Sequence, residues 1–407
     1  MFNFWCCRHV ETAKTKKITT RSSRVRSARG SSADLPTNLF DAAWEGNTDL
    51  VRQFLKSESP DSTDEDGATP LHLAAQEGHA SVVELLIKEA KASIDKTDSE
   101  GCTPLLLAAS ERHTKVVKLL LIDGKSESVD VQNQAGETPL LCAVQKGSLD
   151  IVKILLTEGR SQSLDVANNE GETPLIVAAG KGYLEIIRAI INSGKAKSID
   201  TADNLGWTPV LLASHGGHAE VLKILISEGG ARSVDTPNLA GETPLLCAAK
   251  QGHTGVEEVL LTIGGAKSVD VRDKEGETPL LIAAQEGRNE ALKLLLSHTG
   301  SKGVDVPNKR NETPLLLAAQ EGFVETVNIL LGSGQSKAIN IAANDGRTPL
   351  ITAARFGFLA VCQLLLEYGA DKTVIVTGSE FIGSDGTAAQ VAEENGFDEI
   401  VQLLQKY

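Results

Sequence analysis

Gly136-Glu137-Thr138-Pro139-Leu140-Leu141 recurs along this chain of 407 residues. The same run returns almost letter for letter at Gly171, Gly241 and Gly276, and in looser form at Gly67, Gly101, Gly206, Asn311 and Gly346. Its Thr-Pro pairs, from Thr69 to Thr348, are spaced 34 residues apart once and then 35 residues apart seven times. A fixed period of this size is the signature of a stacked-repeat architecture, in which each unit is one supersecondary element.

The residues within one period say what that element is. Thr138 carries a side-chain oxygen suited to a helix N-cap, and Pro139 fits the first helical position, where its missing N–H would be unpaired anyway. A short apolar helix follows through Leu140-Leu141-Cys142-Ala143-Val144, and Gly147 ends it. Ile151-Val152-Lys153-Ile154-Leu155-Leu156 then reads as a second helix buried on two sides, stopped at Gly159. One such pair cannot bury its own apolar faces, so neighbouring pairs must stack.

At these residues the chain resembles the ankyrin-repeat family. The family's Thr-Pro-Leu-His-x-Ala-Ala, Gly-His and Val-Val-x-Leu-Leu pattern is met almost fully from Thr69 to Leu86, through His72, Gly78-His79 and Val82-Val83. The resemblance covers roughly nine-tenths of the chain and implies an all-α ankyrin solenoid of helix-turn-helix units with loop or β-turn fingertips. The period departs from the family's ~33 residues by two, and the extra residues lie after the outer helix. The motif His is Leu, Ile or Val in most copies, which predicts apolar packing where the family uses a polar bridge.

The same pattern divides the chain. Residues 1–34 are a basic tail without periodicity, and residues 35–407 the solenoid. An N-terminal cap repeat over about 35–66 lacks the Pro, nine full repeats run over about 67–384, and a C-terminal cap fills about 385–407. Eleven units with layers 8–10 Å apart predict a stack on the order of 100 Å long. The stretch 374–382 lengthens the last junction and reads as an insertion tolerated in a surface loop, or as a short extended excursion.

Charge is distributed unevenly. The net charge is −14, yet residues 1–34 hold eight Lys/Arg against Glu11 and Asp34, so the solenoid carries about −20. An acidic body without a basic stripe argues against nucleic acid as a partner. No apolar run approaches the ~20 residues that span a bilayer. Of the six cysteines, Cys102, Cys142, Cys247 and Cys362 are scattered among repeats and read as small buried hydrophobes of a reducing compartment. The expected location is intracellular and cytoplasmic.

The tail admits several readings. Cys6 and Cys7 are candidates for acylation, with the polybasic stretch as the second signal that stable anchoring needs. Phe2 excludes N-myristoylation, which requires glycine there. A mitochondrial presequence, a nuclear address and a plain solvated tail are the others, the first two less favoured.

No residue constellation predicts catalysis, a metal or a cofactor. His79, His113, His218 and His253 share one slot in different repeats, too far apart for one ion. The glycines end helices rather than cradle phosphate, and the carboxylates recur with the period. The expected function is a non-enzymatic scaffold or adaptor for a partner protein, with no small-molecule substrate. A membrane-tethered regulatory protein, held through Cys6 and Cys7, is the alternative.

The resemblance also places a binding face. In ankyrin-repeat proteins the concave surface is built from loop tips and inner helices. The residue before Thr-Pro is such a position, and here it is Glu137, Glu172, Trp207, Glu242, Glu277, Glu312 and Arg347 in successive copies. His215 and Phe356 stand at the ends of their inner helices. This row reads either as solvated glutamates or as a groove for a basic partner surface, with Trp207 as an anchor of the kind enriched at interface centres.

Overall fold

The computed structural model describes residues 36–407 except 195, 196, 198, 300–302, 335 and 379–384. Cys6, Cys7 and the basic tail fall outside the described residues, as does the second half of the 374–382 stretch.

Among the described residues the chain forms eleven successive helix pairs, from Leu39–Trp44 with Thr48–Phe54 to Ala388–Glu394 with Asp398–Lys406. Each inner helix packs on the next inner helix and on its own outer helix. The apolar residues of almost every pair join one continuous core, as a stack requires when no unit can bury its own faces.

The Thr-Pro signature does what its chemistry predicts. Thr138 Oγ1 accepts from the Leu141 N–H at 3.2 Å, and Pro139 opens the helix Pro139–Gln145. The same cap recurs at Thr103, Thr173, Thr208, Thr243, Thr278, Thr313 and Thr348. All nine motif threonines are buried, so each cap is protected from competing water. At Thr69 the motif His72 closes a capping box and its Nε2 donates to the Cys102 carbonyl at 3.1 Å. Burial lowers the His72 pKa to about 4, so it serves as a neutral bridge between repeats.

The segment after the outer helix, where the period is lengthened, also has a structural role. It forms a single 3-10 turn, as at Ser128–Asp130, Ser163–Asp165, Ser233–Asp235 and Ser268–Asp270. The aspartate of one repeat then accepts from the loop of the next. Asp130 takes the Ser161 hydroxyl at 2.6 Å and the Gln162 N–H at 2.9 Å, and Asp235 takes the Lys267 N–H at 3.0 Å.

Cys102, Cys142, Cys247 and Cys362 are buried free thiols. Burial pushes Cys102 and Cys362 up to about 12, which leaves them unreactive. In the last junction Val376 is fully buried and pairs antiparallel with Gly386, so its described part is a short extended excursion seated on the core.

Candidate interaction face

The loop tips are built by one short rule. Asn133 Oδ1 accepts from the N–H groups of Ala135 at 3.0 Å and Glu137 at 2.8 Å, which folds the loop over its own side chain. Gly136 closes the turn at φ 77°, and a Cβ there would meet the next tip, 2.8 Å from Asn169 Oδ1. Most tips are also joined to their neighbour by backbone. Ser99 donates to Asp66, Gln134 to Glu100, Asn169 to Ala135, Asn204 to Glu170, Leu239 to Leu205, Lys274 to Ala240 and Asn344 to Arg310, at 2.9–3.3 Å. The tips therefore form a stitched edge rather than independent fingers.

This geometry accounts for the glutamate row. The Asn that folds each tip points its Nδ2 at the carboxylate four residues on: Asn133 to Glu137 at 3.0 Å, Asn168 to Glu172 at 2.9 Å, Asn238 to Glu242 at 2.9 Å and Asn308 to Glu312 at 2.7 Å. These carboxylates are half-buried or buried and engaged within their own loops. Where the folding residue is Asp98 or Asp203, no such donor exists, and the fourth residue is Cys102 or Trp207. Glu277 breaks the rule, because it follows Asp273. Its Oε2 is buried without a partner, and burial with the Asp273 charge pushes its pKa up.

The remaining predicted residues are engaged as well. Trp207 is 7% exposed, packs with Leu211 and Cys247, and stands edge-to-face on His215 with ring centroids 5.4 Å apart. Its indole is thus tucked into the stack and is no exposed anchor, because the Asp203 loop folds it down over the inner helices. Arg347 is 5% exposed and its guanidinium reaches Glu312, Gln320 at 2.7 Å and Asp345 at 3.1 Å. Lys250 lies between Glu242 and Asp273, 2.8 Å from each. Burial alone would lower its pKa, but these two hydrogen bonds outweigh that and hold it raised. Of the predicted set, Phe356 stays well exposed, at 41%, with its ring 6.1 Å from Phe358.

The surface of the tips is made by other residues. Leu205 and Leu239 are 46% and 63% exposed, and Lys274, Lys309 and Arg310 are exposed on the following tips. For Leu239, Lys274 and Lys309 the signal in the sequence is a departure from the Asn or Gln found at the same place in Gln134, Asn169 and Asn344.

Among the described residues no cluster of three metal-ligating side chains occurs, and no helix is long and apolar enough to cross a membrane. His79, His113, His218 and His253 each donate from Nε2 to a carbonyl of the preceding repeat, at 2.7, 2.9, 3.2 and 3.1 Å. They are parts of the stack.

Known proteins agree with this architecture. The family model described as ankyrin repeats in three copies matches residues 39–128, 121–200, 195–268, 231–307, 257–341 and 300–376. The chain is similar to GA-binding protein subunit beta-2 of Mus musculus, with 46% identity over 55 residues, which is 14% of this chain and 13% of that protein. It is similar to protein fem-1 homolog C of Homo sapiens, with 40% identity over 67 residues, 15% of this chain and 11% of the other. Each match therefore spans only a small part of the relative's length. The family is in general a module for protein–protein interaction without enzymatic activity. By its repeats, its caps and its matched length, the chain belongs to the ankyrin-repeat family.

Proposed function

We propose that this chain is a non-enzymatic scaffold that holds a partner protein along the face shared by the loop tips and inner helices, the concave face of ankyrin stacks. The observation that carries this reading is the stitched edge: seven backbone hydrogen bonds tie successive tips together. A surface that is already ordered loses little conformational freedom on binding. The engaged carboxylates at Glu137, Glu172, Glu242 and Glu312 argue for shape and tip chemistry over a simple field for a basic partner. Cytoplasmic location fits the buried free thiols.

The test is differential capture from lysate. Lys146→Glu, Lys181→Glu and Phe356→Ser together alter the inner face, and Lys118→Glu with Lys153→Glu alter the exposed side of the outer helices. Captured proteins should be lost with the first set and kept with the second. Loss with the second set alone would move the site to the opposite face.

A second reading, membrane tethering, is favoured by adjacent Cys6 and Cys7 beside eight basic residues. Residues 1–34 fused to a fluorescent protein should then sit at membranes and be released by Cys6→Ser with Cys7→Ser. A diffuse wild-type fusion would remove it.

A further inference from the structure

Four tips carry a second inter-repeat hydrogen bond made by a side chain. Gln134 Nε2 donates to the Ser99 carbonyl at 2.7 Å, Asn169 Nδ2 to Gln134 at 2.9 Å, Asn204 Nδ2 to Asn169 at 3.0 Å and Asn344 Nδ2 to Lys309 at 3.0 Å. Three consecutive tips between these give the bond up, since the same position holds Leu239, Lys274 and Lys309. Leu239 has no donor, and the two lysine ammonium groups enter no ion pair among the described residues. A stack gains nothing from this exchange: it loses an amide stitch and exposes a leucine at 63%.

The three positions are also contiguous. Leu239 donates its backbone N–H to Leu205 at 3.0 Å, which sets two exposed leucines on adjacent tips, and Lys274 donates to Ala240 at 3.3 Å. On the tips themselves the exposed charges that follow are Lys274, Lys309 and Arg310 against Glu275 alone, a basic island on a solenoid of net negative charge. We propose that the tips from Leu205 to Arg310 are a docking strip for an extended protein segment that carries an apolar pair and then acidic residues. The apolar side chains lie over Leu205 and Leu239, and the carboxylates over Lys274, Lys309 and Arg310. Three layers of ~10 Å are spanned by about nine extended residues, which sets the length of the segment. The strip names the partner chemistry of the scaffold reading above and rests on that reading.

A random library of peptides about 12 residues long, displayed on phage, tests it. Selection is on the full chain, with counter-selection on Leu239→Asn/Lys274→Asn/Lys309→Asn, which installs the stitching residue of the other tips. Enriched peptides should pair two apolar residues with a run of Asp or Glu. Synthetic copies should bind the triple variant at least roughly tenfold more weakly, while its circular dichroism and melting are unchanged. Enrichment of basic peptides, equal binding by the variant, or no enrichment at all would overturn the strip. Proteins captured from lysate separate this from the broader reading. If they are lost with the inner-face set and kept by the triple variant, the strip fails and the scaffold stands; if both variants keep them, the scaffold reading fails.

Discussion

The first half of the stack and the second are coupled by different chemistry on the same period. Up to His253 the slot that opens the outer helix is mostly His, and its ring donates to a carbonyl of the preceding repeat. From Arg288 onward the slot changes. Arg288 reaches the Ala249 and Lys250 carbonyls with its guanidinium, and Phe323, Phe358 and Phe397 then lay rings over Gly287, Gly322 and Gly357. A Cβ at Gly322 would sit 2.7 Å from the Phe358 ring, so the contact needs glycine. The later half adds a contact without a copy elsewhere, Arg347 with Glu312, and Lys250 with Asp273 spans the junction between the halves. At the change lies Glu257, fully buried in a slot that is Leu222 one repeat earlier and Leu292 one repeat later. Regular coupling distributes stability evenly along a stack, whereas singular contacts concentrate it at particular interfaces.

The largest expected effect is at the buried ion pair. Arg347→Ala leaves Glu312 charged and buried without its partner, which costs about 3–5 kcal/mol. Asn133→Ala, in the regular half, removes the three hydrogen bonds that fold a half-buried tip and costs about 2 kcal/mol. Urea unfolding followed by circular dichroism measures both, and equal losses would erase the contrast between the halves.

Glu257→Leu should stabilise the chain. Both carboxylate oxygens are buried without hydrogen-bond partners, and burial raises the pKa to about 7 from 4.5, opposed only in part by Arg288. The folded state therefore holds the proton more tightly, and its stability falls as pH rises from about 4.5 to 7. The gain from the substitution should be about 3 kcal/mol at pH 8 and should shrink steadily as pH falls through this window. A gain that does not vary with pH would show that the carboxyl is not the cause.

Phe358→Ala removes a half-buried ring and should cost about 2 kcal/mol, against about 1 kcal/mol for His113→Ala, which removes one hydrogen bond. Thr138→Ala and Thr313→Ala should each cost about 1 kcal/mol, because the N-cap is common to both halves. The smallest effect belongs to the tips: Leu239→Asn should change stability by less than about 0.5 kcal/mol, or raise it, as the amide stitch forms. Thermal melts of the single variants rank all five.

Much of this was legible. The Thr-Pro caps, the stopping glycines and the apolar pairs announce helix hairpins because capping and burial act within one repeat. The tips were legible only in part. The distance from Asn133 to Glu137 is in the sequence, but that the amide holds the carboxylate depends on the loop closing over its own side chain. Trp207 breaks its column and so invites a surface role, yet the stack covers it with Leu211, Cys247 and His215. The aspartates of the 3-10 turns repeat plainly enough, though their acceptor role lies across the junction to the next repeat.

By itself the sequence determined the hairpin, the period and the order of the layers, since propensity, capping and hydrophobic spacing are local and recur every 35 residues. The tertiary structure decided which side chains remain open to a partner. Most tips are finished by the one before them, and residues that far apart in the chain touch only once the layers have stacked.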